Sequence, residues 1–256
     1  MNILVLIKAV PSVSGGLDGE HKTTEFIINP ADLSALEEAL QLKASHGAKI
    51  TVMTMGIPRC AQLLRECIAR GADEALLITD RAFAGSDTCA TSRILANAIE
   101  ISGHYDMIFC GRKSTDGETG QVGPELAVRL RIPYVINCIH FHLEDHTLQC
   151  SSLTDTGSEE VTLSLPALIT FRNGINSPRL PSLMGLRKAN RITIRTLDSH
   201  DISLPCELTG QTGSPTIVKC SVKKEFEKRR PVMLRLSELN PAVACIRSYI
   251  HKETSI

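Results

Sequence analysis

The feature that most restricts how this chain can fold is an alternation, repeated along its first 140 residues, of short continuous apolar runs with stretches of helical spacing. Residues 2–7, 49–55, 75–79, 106–110 and 133–139 read as strands. Between them, residues 32–46, 58–70, 88–101 and 121–130 read as helices. In the first helix Leu33, Leu36, Leu40 and Ala44 recur on one face. Gly47 and Gly71 stand just past the ends of the first two helices, where a left-handed C-cap belongs, and Ser34-Ala35-Leu36-Glu37 has the form of a capping box. The strand segments are apolar throughout rather than at alternate positions, as expected where helices cover both faces of a parallel sheet. The expected fold is α/β, with a doubly wound, mostly parallel sheet.

Beyond residue 140 the pattern changes. Residues 141–153 and 160–165 alternate and are joined across Asp155-Thr156-Gly157-Ser158, which predicts an antiparallel hairpin. A short strand is expected at 168–171, and 172–188 reads as a long loop. Weak strands follow at 191–197 and 215–222, then a helix at 240–250. Apolar content is thin and breakers are frequent in the last third, so the chain is expected to divide into an α/β domain over 1–190 and a C-terminal arm over 191–256 that does not pack as an independent domain. In all, 256 residues carry 28 Lys+Arg against 28 Asp+Glu. A neutral chain lacks the basic field that drives nucleic-acid binding. No apolar run approaches the ~20 residues of a membrane span, and the N-terminus lacks the form of a signal peptide, so a cytoplasmic location is expected. Nine cysteines without a C-x-x-C pair suggest small buried hydrophobes rather than disulfides or zinc ligands.

In an open parallel sheet, ligands bind beyond the carboxyl ends of the strands, where the strand order reverses. The loops after residues 7, 55, 79 and 110 are therefore the places to inspect. The loop from Gly111 to Pro124, G-R-K-S-T-D-G-E-T-G-Q-V-G-P, follows a strand and opens a helix. Its glycines permit close backbone approach, and Thr119, Gly120, Gln121 and Val122 put amides and a hydroxyl where a helix dipole favours an anion. Asn29, Pro30, Ala31 and Asp32 open another helix, and Asp87 and Thr88 a third. Ser14-Gly15-Gly16-Leu17-Asp18-Gly19 is close to the S-G-G-x-D-S pyrophosphate loop of ATP pyrophosphatases. Gly19 replaces the final serine, however, and the following residues are polar, so a surface turn is expected. His140, His142 and His146 lack the acidic or cysteine partners of a metal site. No nucleophile motif, zincin motif or Walker loop occurs.

Taken in order, I-L-V-L-I-K-A-V at 3–10, N-P-A-D-L-S-A-L-E-E-A-L-Q-L at 29–42, G-A-D at 71–73, the 111–124 loop, L-P-A at 165–167 and P-R-L-P-S-L-M-G-L-R-K-A at 178–189 resemble the beta subunits of electron transfer flavoproteins. The resemblance implies a Rossmann-like, adenine-nucleotide-binding domain paired with an alpha subunit, and a C-terminal extension that embraces that subunit. It implies a nucleotide pocket formed by Leu6, Asn29, Pro30, Ala31, Asp32, Met55, Asp87, Thr88, Cys110, Gly111, Arg112, Thr115, Asp116, Gly117, Thr119, Gly120, Gln121 and Val122. Housekeeping members hold AMP there; electron-bifurcating members hold a second FAD that takes hydride from NADH. D-G-E-T-G-Q-V-G-P at 116–124 is close to the bifurcating D-G-D-T-A-Q-V-G-P, differing at Glu118 and Gly120, so FAD is expected over AMP. Leu183 matches the leucine that anchors the family's recognition loop in an acyl-CoA-type or other flavin dehydrogenase. The usual K-A-K-K closing that loop is here Lys188-Ala189-Asn190-Arg191.

Overall fold

The computed structural model describes residues 1–12, 25–145 and 147–217, together with Lys219, Asn240, Val243, Ala244, Ile246 and Arg247. Along the chain run β1 (Asn2–Leu6), β2 (Ala9–Pro11), β3 (Phe26–Ile28), α1 (Pro30–His46), β4 (Lys49–Met55), α2 (Ala61–Arg70), β5 (Glu74–Ile78), α3 (Thr88–Ser102), β6 (Met107–Gly111), α4 (Val122–Leu130), β7 (Tyr134–Glu144), β8 (Thr147–Thr154), β9 (Gly157–Ser164), β10 (Ala167–Phe171), α5 (Leu183–Arg191) and β11 (Arg195–Leu197). Nine strands form one sheet in the order β11-β5-β4-β1-β6-β10-β7-β8-β9. Pairing is parallel from β11 to β7 and antiparallel from β7 to β9. The fold is thus the mostly parallel α/β sheet expected.

Successive side chains of each central strand enter opposite layers, which explains the unbroken apolar runs. Ile3 and Val5 join α1 and α2 residues such as Leu36, Leu40, Leu64 and Ile68 in one core. Leu4 and Leu6 join Ile94 and Leu95 of α3 and Leu126 of α4 in the other. Phe109 of β6 meets Phe171 of β10 edge-on, centroids 4.9 Å apart, and Phe141 of β7 lies 5.7 Å from both. Such aromatic pairs add roughly 0.5–1.5 kcal/mol each beyond their burial, tying the three strands together. From β1 the chain builds outward through β4 to β5, then crosses back to lay β6 on the other side of β1. The gap between β1 and β6 is the switch point, and α1 leaves on one side of the sheet while α3 and α4 cover the other.

Several elements differ from the sequence reading. The run at 133–139 continues to Glu144 as β7, and the first arm expected at 141–153 is divided between the end of β7 and β8, which pairs with β9 across the expected turn, so the three strands form a meander. The loop expected over 172–188 ends in helix α5, capped by Ser182, whose hydroxyl accepts from the Gly185 amide at 2.9 Å. Only Ala189 of that helix is buried, so apolar periodicity could not reveal it. Ser34 and Glu37 lie inside α1, not at its start. The first compact unit runs to Ile217, past the boundary placed at 190. Strand pairing, apolar burial and polar anchoring together explain the difference: β11 pairs with β5, Leu197 and Ile202 are buried, and Asp80 accepts from both the amide and the hydroxyl of Ser199, at 3.0 and 2.6 Å. A second unit spans Val218–Ile256; the helix expected at 240–250 is seen at its five described positions, while the strand expected at 215–222 is not formed at 215–217 or 219, its other four positions lying outside the described residues. The Ser14–Gly19 turn lies outside the described residues, although β2 and β3 pair as an antiparallel ribbon on either side of it. The seven described cysteines are free, and five of them are buried.

Gly111 fixes how α1 meets the sheet. A Cβ there would stand 2.7 Å from the Ala31 Cβ and 2.9 Å from the Ala31 carbonyl carbon, and would also strike the Asp32 carboxylate. Gly111→Ala must push the helix away, and is expected to destabilise the chain by about 1–3 kcal/mol, read as a lowered midpoint in chemical denaturation.

Candidate functional site

Helix α1 begins immediately after β3 and lays its first turn across the ends of β1 and β6. Asp32 in that turn is buried and bridges the two strands: one carboxylate oxygen accepts from the Lys8 amide at 2.7 Å, the other from the Gly111 amide at 2.8 Å. Burial pushes its carboxyl up to about 6, against the opposing pull of the two amides. Before it, Asn29 donates through Nδ2 to the Lys113 carbonyl at 3.1 Å, while its Oδ1 is buried without a hydrogen-bond partner. Such an orphaned acceptor beside a cleft favours a ligand that brings a donor.

The cleft, about 580 Å³, falls within the size range of small-molecule sites. Asn29, Pro30 and Ala31 form one wall; Arg112, Lys113, Ser114, Thr115 and Glu118 form a second; Asn137, Arg172 and Asn173 close the far end. Glu118 pairs with Lys113 at 3.4 Å. Arg112 and Arg172 have no carboxylate partner among the described residues, and they make the cleft attractive to anions. The second wall is latched over the sheet edge by Lys8, whose ammonium meets Asp116 at 2.7 Å and the Ser114 hydroxyl at 3.1 Å. Partial burial opposes ionisation of Asp116, but that ammonium, the Ser114 hydroxyl and the Gly117 amide together outweigh it and hold the carboxyl below its usual range.

Of the residues expected in the pocket, Asn29, Pro30, Ala31, Arg112 and Thr115 line this cleft, with Asp32 and Gly111 beneath them. Asp116 and Gly117 belong to the latched loop. Gly120 has φ 63°, and the Arg112 guanidinium fills the space its Cβ would take. Thr119 to Val122 lead into α4, whose N-terminus has no side-chain cap, and the Arg112 guanidinium donates to the Gly120 carbonyl at 3.3 Å just before it. The other expected residues sit along the same sheet edge but outside the cleft: Leu6, Met55 and Cys110 pack into the α3–α4 core. Asp87 caps α3 by accepting from Ala90 at 3.0 Å and also holds the Thr216 amide at 3.0 Å. Thr88 donates to Glu125 in the first turn of α4 at 3.0 Å.

Sequence reasoning missed Asn137, Arg172 and Asn173. The last two follow β10, itself a parallel strand, so inspecting the loop after 171 would have found them. Asn137 stands out in the sequence only as a polar residue within an apolar run; it adopts φ 56° and donates through its amide to Thr170 Oγ1 at 2.9 Å. Far from the cleft, the segment after Asn173 runs along α1 and delivers Leu180, Leu183 and Met184 to the surface, 82, 81 and 75% exposed. Among the described residues no group of acidic, histidine or cysteine side chains forms a metal site, and no helix is long and apolar enough to cross a membrane.

A mostly parallel sheet with a positively charged cleft at its switch point is the form of a nucleotide-type α/β protein. The family model described as the electron transfer flavoprotein domain matches residues 20–201. The chain is 42% identical to the electron transfer flavoprotein subunit beta of Thermoanaerobacterium thermosaccharolyticum over 235 residues, covering 89% of this chain and 90% of that one. It is 39% identical to the caffeyl-CoA reductase-Etf complex subunit CarD of Acetobacterium woodii, covering 85% and 86%, and 35% identical to protein FixA of Azorhizobium caulinodans, covering 100% and 96%. The chain belongs to the electron transfer flavoprotein family and, within it, stands with the beta subunits.

Asp32 gives the site a pH signature. Its folded-state value lies above the unfolded one, so the fold holds an extra proton between about pH 4 and 6; the stability this brings is complete below about pH 4 and is lost as pH rises through about 6. Carboxyl-carbon NMR is expected to show one aspartate titrating near 6 that disappears in Asp32→Asn. That variant also loses one of two amide acceptors, at a cost of about 1–3 kcal/mol.

Proposed function

We propose that the cleft holds FAD and that the chain works as the nucleotide-bearing beta subunit of an alpha–beta electron carrier. The observation that carries this reading is the meeting, in one cleft at the switch point, of Arg112, Arg172 and the orphaned Asn29 acceptor. Two guanidinium groups suit a pyrophosphate. The Asn29 oxygen suits an N–H or O–H donor on the same molecule. D-G-E-T-G-Q-V-G-P at 116–124 supports FAD over AMP.

The chemistry a bound flavin supplies is hydride acceptance, here from NADH, and release of electrons one at a time toward the alpha subunit's flavin and a second acceptor. The chain's own residues position and exclude. Asp32 and Gly111 hold the floor rigid between two strands. Lys8 latches the 112–118 loop over the edge and limits water, and Arg112 and Arg172 offset phosphate charge. Pairing with the alpha subunit falls to the C-terminal arm, whose residues beyond 217 form the second compact unit.

Docking to a flavin dehydrogenase falls to the 172–197 segment. It carries Arg172, Arg179, Arg187, Lys188, Arg191 and Arg195 and no acidic residue, in a chain that is neutral as a whole. Its exposed leucines suit an apolar pocket, and its cations suit carboxylates around that pocket.

Denaturing the purified alpha–beta complex and identifying the released nucleotides tests the cofactor: two FAD per complex are expected, whereas one FAD and one AMP would assign the cleft to AMP. For docking, Leu183→Ala is expected to cost about 2 kcal/mol or more of partner affinity, roughly a thirtyfold rise in the dehydrogenase KM, with nucleotide content unchanged. Loss of nucleotide together with docking would instead place Leu183 in the structure's support.

A further inference from the structure

The cleft and the exposed leucines are two ends of one stretch of chain. Arg172 and Asn173 line the cleft; seven residues later Leu180 reaches solvent, and Ser182 starts α5. Between these points the backbone has no regular secondary structure, and one face of α1 holds it. The Gly174 amide donates to Ser34 Oγ at 3.4 Å. Asn176 donates through Nδ2 to the Ser34 carbonyl at 2.9 Å and to Glu38 at 2.8 Å. Arg179 then donates three times to the buried Glu37: from its backbone amide and Nε to Oε2, each at 3.0 Å, and from Nη2 to Oε1 at 2.9 Å. Burial alone would raise the Glu37 carboxyl, but these donors outweigh it and hold it below its usual range. Beyond Arg179, α2 takes over: Arg70 donates to the Arg179 carbonyl and the Ser182 amide donates to the Ala69 carbonyl at 3.2 Å.

The same helix therefore presents Asn29 to Ala31 at the cleft and, about two turns on, Glu37 at the root of the leucine-bearing tip. We propose that the Glu37–Arg179 clamp couples occupancy of the cleft to presentation of Leu180 and Leu183, which makes Glu37 a positioning residue for partner docking. This rests on the reading that the cleft binds a nucleotide. A ligand held between Arg172–Asn173 and the start of α1 pins the segment at its first residue, where the long Gly174–Ser34 contact holds it weakly. The bidentate Glu37–Arg179 pair passes that restraint to the tip, because a planar guanidinium with two bonds to one carboxylate resists rotation. Binding that orders a segment at one site lowers the ordering cost of docking at the other.

Hydrogen exchange read by mass spectrometry on the purified alpha–beta complex tests the coupling, comparing complex stripped of nucleotide with complex refilled with FAD or with AMP. In the wild type, refilling is expected to slow amide exchange across 177–191 at least threefold. In Glu37→Gln, nucleotide occupancy is expected to stay within twofold of wild type while that slowing disappears. A purely structural role for Glu37 would speed exchange equally with and without nucleotide, leaving the ligand-dependent difference intact, and would overturn the proposal. Arg179→Gln, altered on the partly exposed side of the pair, must reproduce the result and serves where Glu37→Gln fails to fold. If FAD or AMP binds the wild type and 177–191 does not respond, the coupling is wrong and the cleft assignment stands. If neither nucleotide binds, the cleft assignment falls and the coupling with it.

Discussion

The site depends on one buried carboxylate holding two backbone amides. At the switch point the chain leaves β1 and β6 in different directions, and the amides of Lys8 and Gly111 lie just where sheet pairing between the two strands gives out. An unpaired buried amide costs about 1–3 kcal/mol, and two side by side would open the sheet where a ligand must be held. Asp32 answers both with one side chain, from a helix turn whose dipole favours a negative charge. Removing that carboxylate from water is unfavourable, which is why its affinity for a proton rises despite two short amide bonds. Gly111 is the geometric counterpart, since any side chain there would deny the helix its approach.

Helix α1 carries more than the floor. Its buried set includes Asn29 at its cap and Asp32, Ser34 and Glu37 within it, an unusual load of polar groups for a helix packed on a sheet. The four divide the surroundings among them, with Asn29 holding the cleft loop, Asp32 the strand ends, and Ser34 and Glu37 the segment leading to α5. The apolar positions Leu36 and Leu40 anchor the helix while the polar ones reach sideways to loops that have little core of their own. Loops without apolar content need such specific polar contacts to adopt one conformation, and here a single helix supplies them.

This division explains what could be read in advance. Continuous apolar runs and glycine stops report on burial, so the parallel sheet and the four helices around it were legible from spacing alone, and with them the position of the cleft-lining loop after β6. Polar anchoring leaves no such trace. Helix α5 buries one alanine and is held by Ser182 and by backbone contacts with α2. The stretch from 195 to 217 stays on the α/β unit through Asp80, Asp87 and Ser214 as well as through Leu197 and Ile202, two buried side chains too few to make a periodic face. Ser34 and Glu37 show the opposite failure: their spacing matches a capping box, yet it arises because residues three apart on a helix share a face, and here that face meets another segment. Arg172 lay at a strand's carboxyl end, but its strand is placed among the parallel set only by the return of the chain after the meander.

The thiols follow the same rule of charge and burial. Cys110 ends β6 beneath the cleft and Cys67 lies within α2; burial pushes both thiols well above their usual range. A thiol reacts and is oxidised through its thiolate, so low-dielectric packing keeps Cys110 inert although it lies one residue from the cleft floor. A polar residue at that position would need a partner of its own under α4, where the closeness allowed by Gly123 leaves no space: a Cβ on Gly123 would stand 2.8 Å from Thr170 Cγ2 and 3.2 Å from the Cys110 sulfur. Cysteine is compact enough to fit beneath the helix and apolar enough to need nothing there, leaving charge at this edge to the groups that face the cleft.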